Sequence, residues 1–271
     1  MAKIRSKSFW SKYQIAWRSK KSLVCVGLDS DLSLLPQVVR KDANPMYTFN
    51  KAIIEATLPY AAAYKPNLAF YLAAGVKGLE ALKLTIEAIP ADVPVILDCK
   101  VGDIGNTMDA YLKAFFDEMG CDAITINPLM GRDVIKIMLN DEKNFAFALT
   151  LTSNLSAKEF LLGKELYKDI AAWVKGFDAR KVGAVVGATH PNHLEQMRKL
   201  LPEQLFLIPG IGAQGGDLQA VLDNAIKSYN EPNILINSSR GIIFKDSSAK
   251  FAESAGKEAE KLRDEIRQGL E

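Results

Sequence analysis

Residues 93–126 read VPVILDCKVGDIGNTMDAYLKAFFDEMGCDAITI, and this stretch decides the fold. It opens with a short apolar run, Val93 to Asp98, and closes with a second one, Ala123 to Ile126. Between them, Met108 to Met119 carries apolar side chains at helical spacing. Two such runs joined by a helical segment predict a strand–helix–strand unit with parallel strands.

Similar units continue along the whole chain. Most of the predicted strands are continuously apolar, as in parallel strands that are covered on both faces. The eight runs are Leu23 to Leu28, Ala61 to Lys65, Val93 to Asp98, Ala123 to Ile126, Phe145 to Leu151, Gly183 to Val186, Leu205 to Ile208 and Ile234 to Asn237. The predicted helices between them are Tyr47 to Leu58, Val76 to Ala88, Met108 to Met119, Tyr167 to Phe177, His193 to Leu201 and Leu218 to Ser228.

A strand followed by a helix, repeated eight times, predicts an α/β protein with a (β/α)8 TIM barrel. An open doubly wound sheet is the alternative, but eight units without a long linker favour closure. No break in composition marks a second domain. We therefore expect one barrel domain over residues 1–271, with an N-terminal helix at about 8–20 and a C-terminal helix at about 248–268, where apolar residues again recur at helical spacing.

Composition excludes several classes of protein. The chain has 271 residues, and 34 Lys and Arg nearly balance 32 Asp and Glu, so we expect no nucleic-acid partner. No apolar run approaches the roughly 20 residues that span a bilayer, so we expect no membrane partner. Three cysteines, far apart, are not a disulfide framework. Their sparseness predicts a reducing compartment and a cytoplasmic protein.

The first 22 residues contain seven Lys and Arg and no acidic residue, a composition that resembles a transit peptide. The same segment has Phe9, Tyr13 and Trp17 at intervals of four residues. This spacing favours an amphipathic first helix instead.

Charged residues follow several predicted strands, and in a barrel the carboxyl ends of the strands form the functional face. Asp98 and Lys100 lie two apart on one strand, so they should point the same way, with Cys99 pointing away. Asp103 follows on the loop, and Lys65 ends the preceding strand. Together they form a set of two acids and two ammonium groups. A structural ion network is the alternative, but buried charges are costly, so chemistry explains the set better.

The loops after the seventh and eighth strands predict a phosphate site. Gly212, Gly215 and Gly216 let backbone N–H groups approach an anion, and Arg240 offers a planar fork for phosphate oxygens. Ordinary turn glycines are the alternative. Arg240 on the neighbouring strand end makes phosphate the better interpretation, because this fold often binds phosphate there.

The remaining reactive residues indicate no further chemistry. His190 and His193 lack the spacing of a helical metal motif, so we expect a surface loop and a helix start rather than a metal site. The cysteines have no obvious partner base, and Asn106 or Thr107 is a potential helix cap.

Five segments resemble, in order, motifs of the orotidine 5′-phosphate decarboxylase family, and of its longer bacterial subfamily in particular. Asp98 to Thr107 is similar to the signature Asp-x-Lys-x-x-Asp-Ile-x-x-Thr. Sugar-phosphate relatives share the core of this signature, so the other segments narrow the resemblance. These are Val26 to Asp29, Tyr64 to Asn67, Pro209 to Asp217 and Asn237 to Gly241. The resemblance spans about residues 23–245. Val101 departs from the Arg or bulky residue of many relatives, but its side chain should lie beside the site.

The resemblance implies a homodimeric (β/α)8 barrel, without metal or organic cofactor. It would convert orotidine 5′-phosphate to uridine 5′-phosphate and CO2, the last step of de novo pyrimidine nucleotide synthesis. The implied catalytic residues are Lys65, Asp98, Lys100 and Asp103. We expect Lys100 to stabilise the carbanion at C6 of the pyrimidine ring and to protonate it.

The resemblance also implies which residues bind the substrate. Asp29 and Lys65 would contact the ribose hydroxyls, and Ser153 the pyrimidine amide, although the segment around Ser153 matches more loosely. The remaining implied residues hold the phosphate (Gln214 and Arg240, with Gly212, Ala213 and Ser239 near it) or reach from one subunit into the partner's site (Asp103, Ile104 and Thr107).

Two alternative functions remain open at this stage. A sugar-phosphate decarboxylase or aldolase on the same barrel would need a divalent metal, held by acids such as Asp98. A nucleotide-binding protein without activity would keep the fold but not need all four charged residues.

Overall fold

A computed structural model of the chain describes residues 7–189, 191–211, 216–228 and 230–270. Within these residues, eight parallel strands follow one another with helices between them, as the sequence predicts. Most strand residues are buried, because the barrel interior covers one face of the sheet and the helices cover the other. The strands are β1 (Val24–Leu28), β2 (Ala63–Pro66), β3 (Ile96–Val101), β4 (Ala123–Ile126), β5 (Phe145–Leu151), β6 (Val182–Val186), β7 (Phe206–Pro209) and β8 (Ile234–Ser238).

The sheet order β2-β1-β8-β7-β6-β5-β4-β3 leaves β2 and β3 as its two ends. These ends meet through isolated parallel bridges between Tyr64 and Val95 and between Asn67 and Asp98. The sheet is therefore nearly closed, which confirms the (β/α)8 barrel against the open doubly wound sheet. Closure also brings the carboxyl end of β2 beside that of β3.

The helices lie outside the barrel and across its amino end. The described helices are α1 (Phe9–Lys20), α2 (Pro45–Thr57), α3 (Leu68–Ala73), α4 (Gly75–Ala88), α5 (Gly105–Leu112), α6 (Leu166–Lys175), α7 (Pro191–Leu200), α8 (Leu218–Ala225), α9 (Arg240–Ile243) and α10 (Phe251–Leu270). No helix in these parts of the chain is both long and apolar enough to cross a bilayer.

The structure differs from the sequence prediction at two informative places, the end of β3 and the helix after β2. The third strand was expected to end at Asp98, but β3 continues to Val101, because side-chain hydrogen bonds from β4 hold its charged end in the sheet. The short helix α3 was not predicted. It starts because the side chain of Asn67 accepts the N–H of Ala69, which is a standard N-cap.

Helix α1 covers the amino end of the barrel. Its Phe9 ring lies 4.6 Å from the Phe145 ring, and the Tyr13 hydroxyl donates to the carbonyl of Ile234 at 3.4 Å. Phe9, Tyr13 and Trp17 are all buried, which confirms the amphipathic helix. The first turn is capped by Ser8, whose side chain accepts the N–H of Ser11.

One ion pair is sealed beneath this helix. Lys12 donates to Asp122 Oδ1 at 2.6 Å, and both side chains are almost fully buried. Asp122 Oδ2 accepts the N–H of Val95 at 2.9 Å. The pair therefore ties α1 to the amino ends of β3 and β4.

Candidate active site

A cavity of about 430 Å³ opens at the carboxyl ends of the strands, where this fold places its functional sites. Its volume suits a small-molecule ligand. Charged and polar groups line one side, and apolar side chains from β5, β6 and β7 line the other. The lining residues are Asp29, Lys65, Asn67, Asp98, Lys100, Thr125, Leu149, Thr152, Ser153, Asn154, Val185, Leu207, Pro209, Gly210, Ile211, Asn237, Ser239 and Arg240.

The carboxylate of Asp98 lies between two ammonium groups. Lys65 Nζ is 2.8 Å from Oδ2, and Lys100 Nζ is 2.5 Å from Oδ1. The side chains of Lys65 and Asp98 are only 5% and 12% exposed, whereas that of Lys100 is 50% exposed. The buried pair is thus fixed, and Lys100 presents its charge to the cavity.

The two ammonium groups determine the charge of Asp98. Burial by itself would raise the pKa of this carboxyl, but the charges of Lys65 and Lys100 outweigh burial and hold the pKa well below its usual range. Burial would likewise lower the pKa of Lys65, yet the attraction of Asp98 and Asp29 raises it above its usual value. Both members of the buried pair are therefore charged at neutral pH.

Lys100 reaches Asp98 through an irregular backbone rather than through regular strand alternation. The expected outcome holds, since the two side chains meet and Cys99 packs against the core. However, Lys100 has a left-handed backbone with φ of 51°, and the pairing of β3 with β4 shifts register between Leu97 and Val101. A β-bulge therefore determines where the Lys100 ammonium lies.

Three buried polar atoms at the ends of β1 and β8 have no hydrogen-bond partner within the described parts of the chain. They are Asp29 Oδ1, Asn237 Oδ1 and Ser239 Oγ. Their residues line the cavity, so a bound polar ligand would supply the missing partners. Gly27 permits this arrangement, because a Cβ there would lie 1.7 Å from Ser239 Oγ.

The predicted phosphate loop is described only at its two ends. Gly212, Ala213, Gln214 and Gly215 lie outside the described residues. At the ends of the loop, Ile211 and Gly216 form a parallel bridge, and the Gly216 N–H donates to the Gly210 carbonyl at 3.0 Å. Arg240, at the start of α9, lines the cavity from the β8 side.

The predicted set of four charges is only partly assembled within one chain. Lys65, Asp98 and Lys100 come together, whereas Asp103 is half-buried outside the cavity lining and accepts the N–H of Ile104 at 2.9 Å. Ile104 and Thr107 are exposed on the same segment. Ser153 does line the cavity, next to Thr152 and Asn154 at the end of β5.

His193 does not line this cavity. His193 lies in α7 with its ring 5.6 Å from that of Tyr167, and His190 lies outside the described residues. In the ranges that the structure describes, no three His, Cys, Asp or Glu side chains are grouped to hold a metal ion.

Sequence reasoning missed several cavity residues as members of the site, among them Asn67, Thr125 and Asn237. Asn67 and Asn237 lie inside the quoted motifs, where an amide at the end of a strand was a usable signal. Thr125 gave a weaker signal, a single hydroxyl inside the apolar run Ala123 to Ile126. Its role depends on a neighbouring strand and could not be read locally.

The fold and the cavity together define a (β/α)8-barrel enzyme that brings a carboxylate and two ammonium groups to bear on a small polar ligand. The chain belongs to the orotidine 5′-phosphate decarboxylase / HUMPS family, whose model matches residues 22–255.

Individual relatives agree with this assignment. The chain is 44% identical over 260 residues to an orotidine 5′-phosphate decarboxylase of Christiangramia forsetii, covering 93% of this chain and 95% of that protein. It is 41% identical over 267 residues to one of Thermomicrobium roseum, covering 96% and 95%. The solved structure of Leishmania donovani OMP decarboxylase superimposes with a TM-score of 0.83 at 36% identity, over 97% of this chain and 99% of that one.

Proposed function

We propose that this protein decarboxylates orotidine 5′-phosphate to uridine 5′-phosphate and CO2. Full-length relatives with this activity in their names support the proposal. The observation that carries the proposal is the position of Asp98 between Lys65 and Lys100. The ammonium group of Lys100 is accessible from the cavity. An apolar core does not need a carboxylate between two ammonium groups. A reaction that creates a negative charge on its substrate does need such positive charge.

The chemistry requires stabilisation of a localised anion. When the bond between C6 and the carboxylate breaks, CO2 leaves and the electron pair stays on C6, in the plane of the ring. The Lys100 ammonium stabilises this pair electrostatically and then transfers a proton from Nζ to C6. The lysine recovers its proton from solvent, and atoms and charges balance.

Asp98 and Lys65 act on Lys100 and on the substrate. Asp98 holds the Lys100 ammonium at the cavity and aims it at C6 through the contact of Nζ with Oδ1. Lys65 fixes the other oxygen of Asp98 and, by its place in the cavity, is available to the ribose hydroxyls together with Asp29. The substrate carboxylate would lie near Asp98 and be repelled by it.

The phosphate provides binding energy away from the reacting carbon. A very slow uncatalysed reaction requires a barrier reduction near the upper end of the enzyme range, about 20 kcal/mol. Interactions with a remote phosphate can be used to position the ring and close a loop over it. We assign this role to Arg240 and Gln214, with Gly212, Ala213 and Ser239 nearby, and assign the pyrimidine amide to Ser153.

The active form is a homodimer in this proposal. Asp103, Ile104 and Thr107 do not line the cavity of their own chain, so they remain available to a partner's site. Exposed apolar side chains also occur on the segments that follow β2 to β5, as expected for an interface. These are Leu72, Val76, Ile104, Tyr111, Leu129, Met130, Leu155 and Phe160. Size-exclusion chromatography with light scattering should give twice the monomer mass, and a strictly monomeric, fully active protein would contradict this.

We further propose that the reaction needs no metal or organic cofactor. Each oxygen of Asp98 already interacts with an ammonium group, which disfavours a divalent cation at this carboxylate. This feature separates the proposal from a metal-dependent sugar-phosphate enzyme on the same barrel.

The whole chain would act as one barrel domain in the cytoplasm. Helices α1 and α10 both pack on the barrel, through Phe9 and Phe251 respectively. The three cysteines form no disulfide within the described residues. Burial raises the pKa of Cys25 and of Cys99 to about 12, so neither of these two thiols is primed for oxidation.

A turnover assay tests the proposed function directly. Purified protein is mixed with orotidine 5′-phosphate in the presence of a chelator, and the loss of ultraviolet absorbance is followed. We expect full turnover that added metal does not increase. Binding without turnover would indicate a nucleotide-binding protein, and activity that depends on a metal would favour the sugar-phosphate branch.

A further inference from the structure

A single hydroxyl lies at the centre of the charged cluster. Thr125 is on β4, and only 1% of the residue is exposed. Its Oγ1 donates to Asp98 Oδ1 at 2.9 Å. The same oxygen accepts the backbone N–H of Cys99 at 3.0 Å and that of Lys100 at 2.9 Å.

These three hydrogen bonds use the full capacity of a hydroxyl, which has one donor and two acceptor lone pairs. Because two N–H groups occupy the lone pairs, the hydroxyl hydrogen is left to point at Asp98. The direction of this donor is therefore set by the backbone of β3, and no other rotation of the hydroxyl keeps all three hydrogen bonds.

The backbone at this point needs such support. Lys100 has φ of 51°, a left-handed conformation that is costly for a residue with a side chain. The regular pairing of β3 with β4 is interrupted between Leu97 and Val101, so the ladder does not serve the intervening residues in register. Thr125 supplies the acceptor that the N–H groups of Cys99 and Lys100 use instead.

We propose that Thr125 is a positioning residue, whose hydroxyl holds the Asp98 carboxylate and the left-handed backbone of Lys100 in one fixed relation. The Lys100 ammonium and the carboxylate that orients it are thereby set before substrate binds. This inference rests on the proposed decarboxylation, and it assigns Thr125 a role that acts through Asp98 and the backbone of Lys100.

The neighbouring strand offers a matched control. Thr150 on β5 is also fully buried, and its Oγ1 donates to the carbonyl of Ala148 at 3.0 Å. It does not line the cavity. Replacing either threonine by valine removes one buried hydroxyl and keeps the shape of the side chain. The two variants then differ in whether the lost hydroxyl borders the cavity and is connected to the charged cluster.

The experiment compares Thr125→Val, Thr125→Ser and Thr150→Val with the wild type, using turnover of orotidine 5′-phosphate, its KM, and the affinity for uridine 5′-phosphate. We expect Thr125→Val to lower kcat by about 10- to 100-fold, the range for a hydrogen bond to a charged group, with KM and product affinity within about threefold. Thr125→Ser retains the hydroxyl and should restore kcat to within about threefold of the wild type. Thr150→Val should keep the wild-type kcat.

Several outcomes would overturn the proposal. Equal kcat values for the two valine variants would show that Thr125 is only a buried hydroxyl. In that case the proposed function would still stand, because the wild type would still decarboxylate orotidine 5′-phosphate. A serine variant as slow as the valine variant would also reject it. If Thr125→Val does not fold, Thr125→Cys provides the same test, because a thiol is a weaker donor and acceptor than a hydroxyl. The kcat of Thr125→Cys should then lie well below that of Thr125→Ser. An inactive wild type would overturn both proposals.

Discussion

A buried Lys–Asp pair lies at each end of the barrel, and the two pairs differ in what else they touch. At the amino end, Lys12 and Asp122 are 2% and 1% exposed, and a backbone N–H supports Asp122. At the carboxyl end, the Lys65–Asp98 pair has a second ammonium group, that of Lys100, which is half exposed. The residue types are the same, but only the second site has a charge that can reach a ligand.

A buried ion pair therefore does not by itself indicate a catalytic site. The amino-end pair is neutral as a unit and closed under α1, so it serves to hold that helix in place. The carboxyl-end cluster carries an excess positive charge, opens into a cavity and lies beside unpartnered buried polar atoms such as Asp29 Oδ1. Access and excess charge distinguish the functional site.

The largest effect is expected from removing the accessible charge. Lys100→Ala should lower kcat by about 10⁴-fold or more, because it removes both the electrostatic stabilisation of the carbanion and its proton donor. Uridine 5′-phosphate should still bind, as isothermal titration calorimetry can measure, and thermal stability should change little. Turnover similar to the wild type would end the assignment of Lys100.

Breaking the sealed pair should have the opposite signature. Lys12→Met leaves Asp122 buried without its counter-charge and should cost about 3–5 kcal/mol of unfolding free energy, with kcat of the folded enzyme unchanged. Denaturant titration gives the first quantity and the absorbance assay the second. The double variant Lys12→Met/Asp122→Asn should recover much of the loss, since no charge remains buried. A lower kcat with unaltered stability would refute the structural role.

A third variant tests the phosphate-binding part of the cavity separately from the charged cluster around Asp98. Arg240→Ala should weaken uridine 5′-phosphate by about 10- to 100-fold, because a charged hydrogen bond to phosphate is lost. Binding of uridine, which has no phosphate, should not change. Similar losses for the nucleotide and the nucleoside, measured by calorimetry, would exclude Arg240 as the phosphate ligand.

The smallest effect concerns pH. The lowered pKa of Asp98 stabilises the fold above the ordinary value of about 3.9, and this contribution is lost as pH falls towards the lowered pKa. The raised pKa of Lys65 stabilises the fold below about 10.4, and this contribution is lost as pH rises through the raised pKa. Both contributions should therefore be constant between about pH 5 and 9.

Chemical denaturation of the wild type and of Asp98→Asn at a series of pH values measures how the Lys65–Asp98 pair contributes to the unfolding free energy. The difference in unfolding free energy between them should be flat between about pH 5 and 9 and shrink below about pH 4. A difference that changes steeply near pH 7 would mean that the charges of the pair are not those inferred from the geometry.

Much of the site was predictable because its members are the residues that follow strands. Asp29, Lys65, Asp98, Lys100 and Arg240 all line the cavity as the strand-end argument requires. The contribution of Asp103, Ile104 and Thr107 to a partner's site remains a prediction. Thr125 was not predicted, because a threonine inside an apolar strand has no local mark of a positioning role.

The sequence by itself determined the eight strands, the helices between them and the charges at the strand ends, because these follow from hydrophobic periodicity and from residues adjacent in the chain. Only the tertiary structure decided which charges meet. Lys12 and Asp122 are 110 positions apart, and Lys65 and Asp98 are 33 apart. Barrel closure brings Lys65 to Asp98, and the packing of α1 against the amino end of the barrel brings Lys12 to Asp122. The bulge that aims Lys100 depends on a hydroxyl from the next strand, so none of these arrangements is encoded in a local stretch.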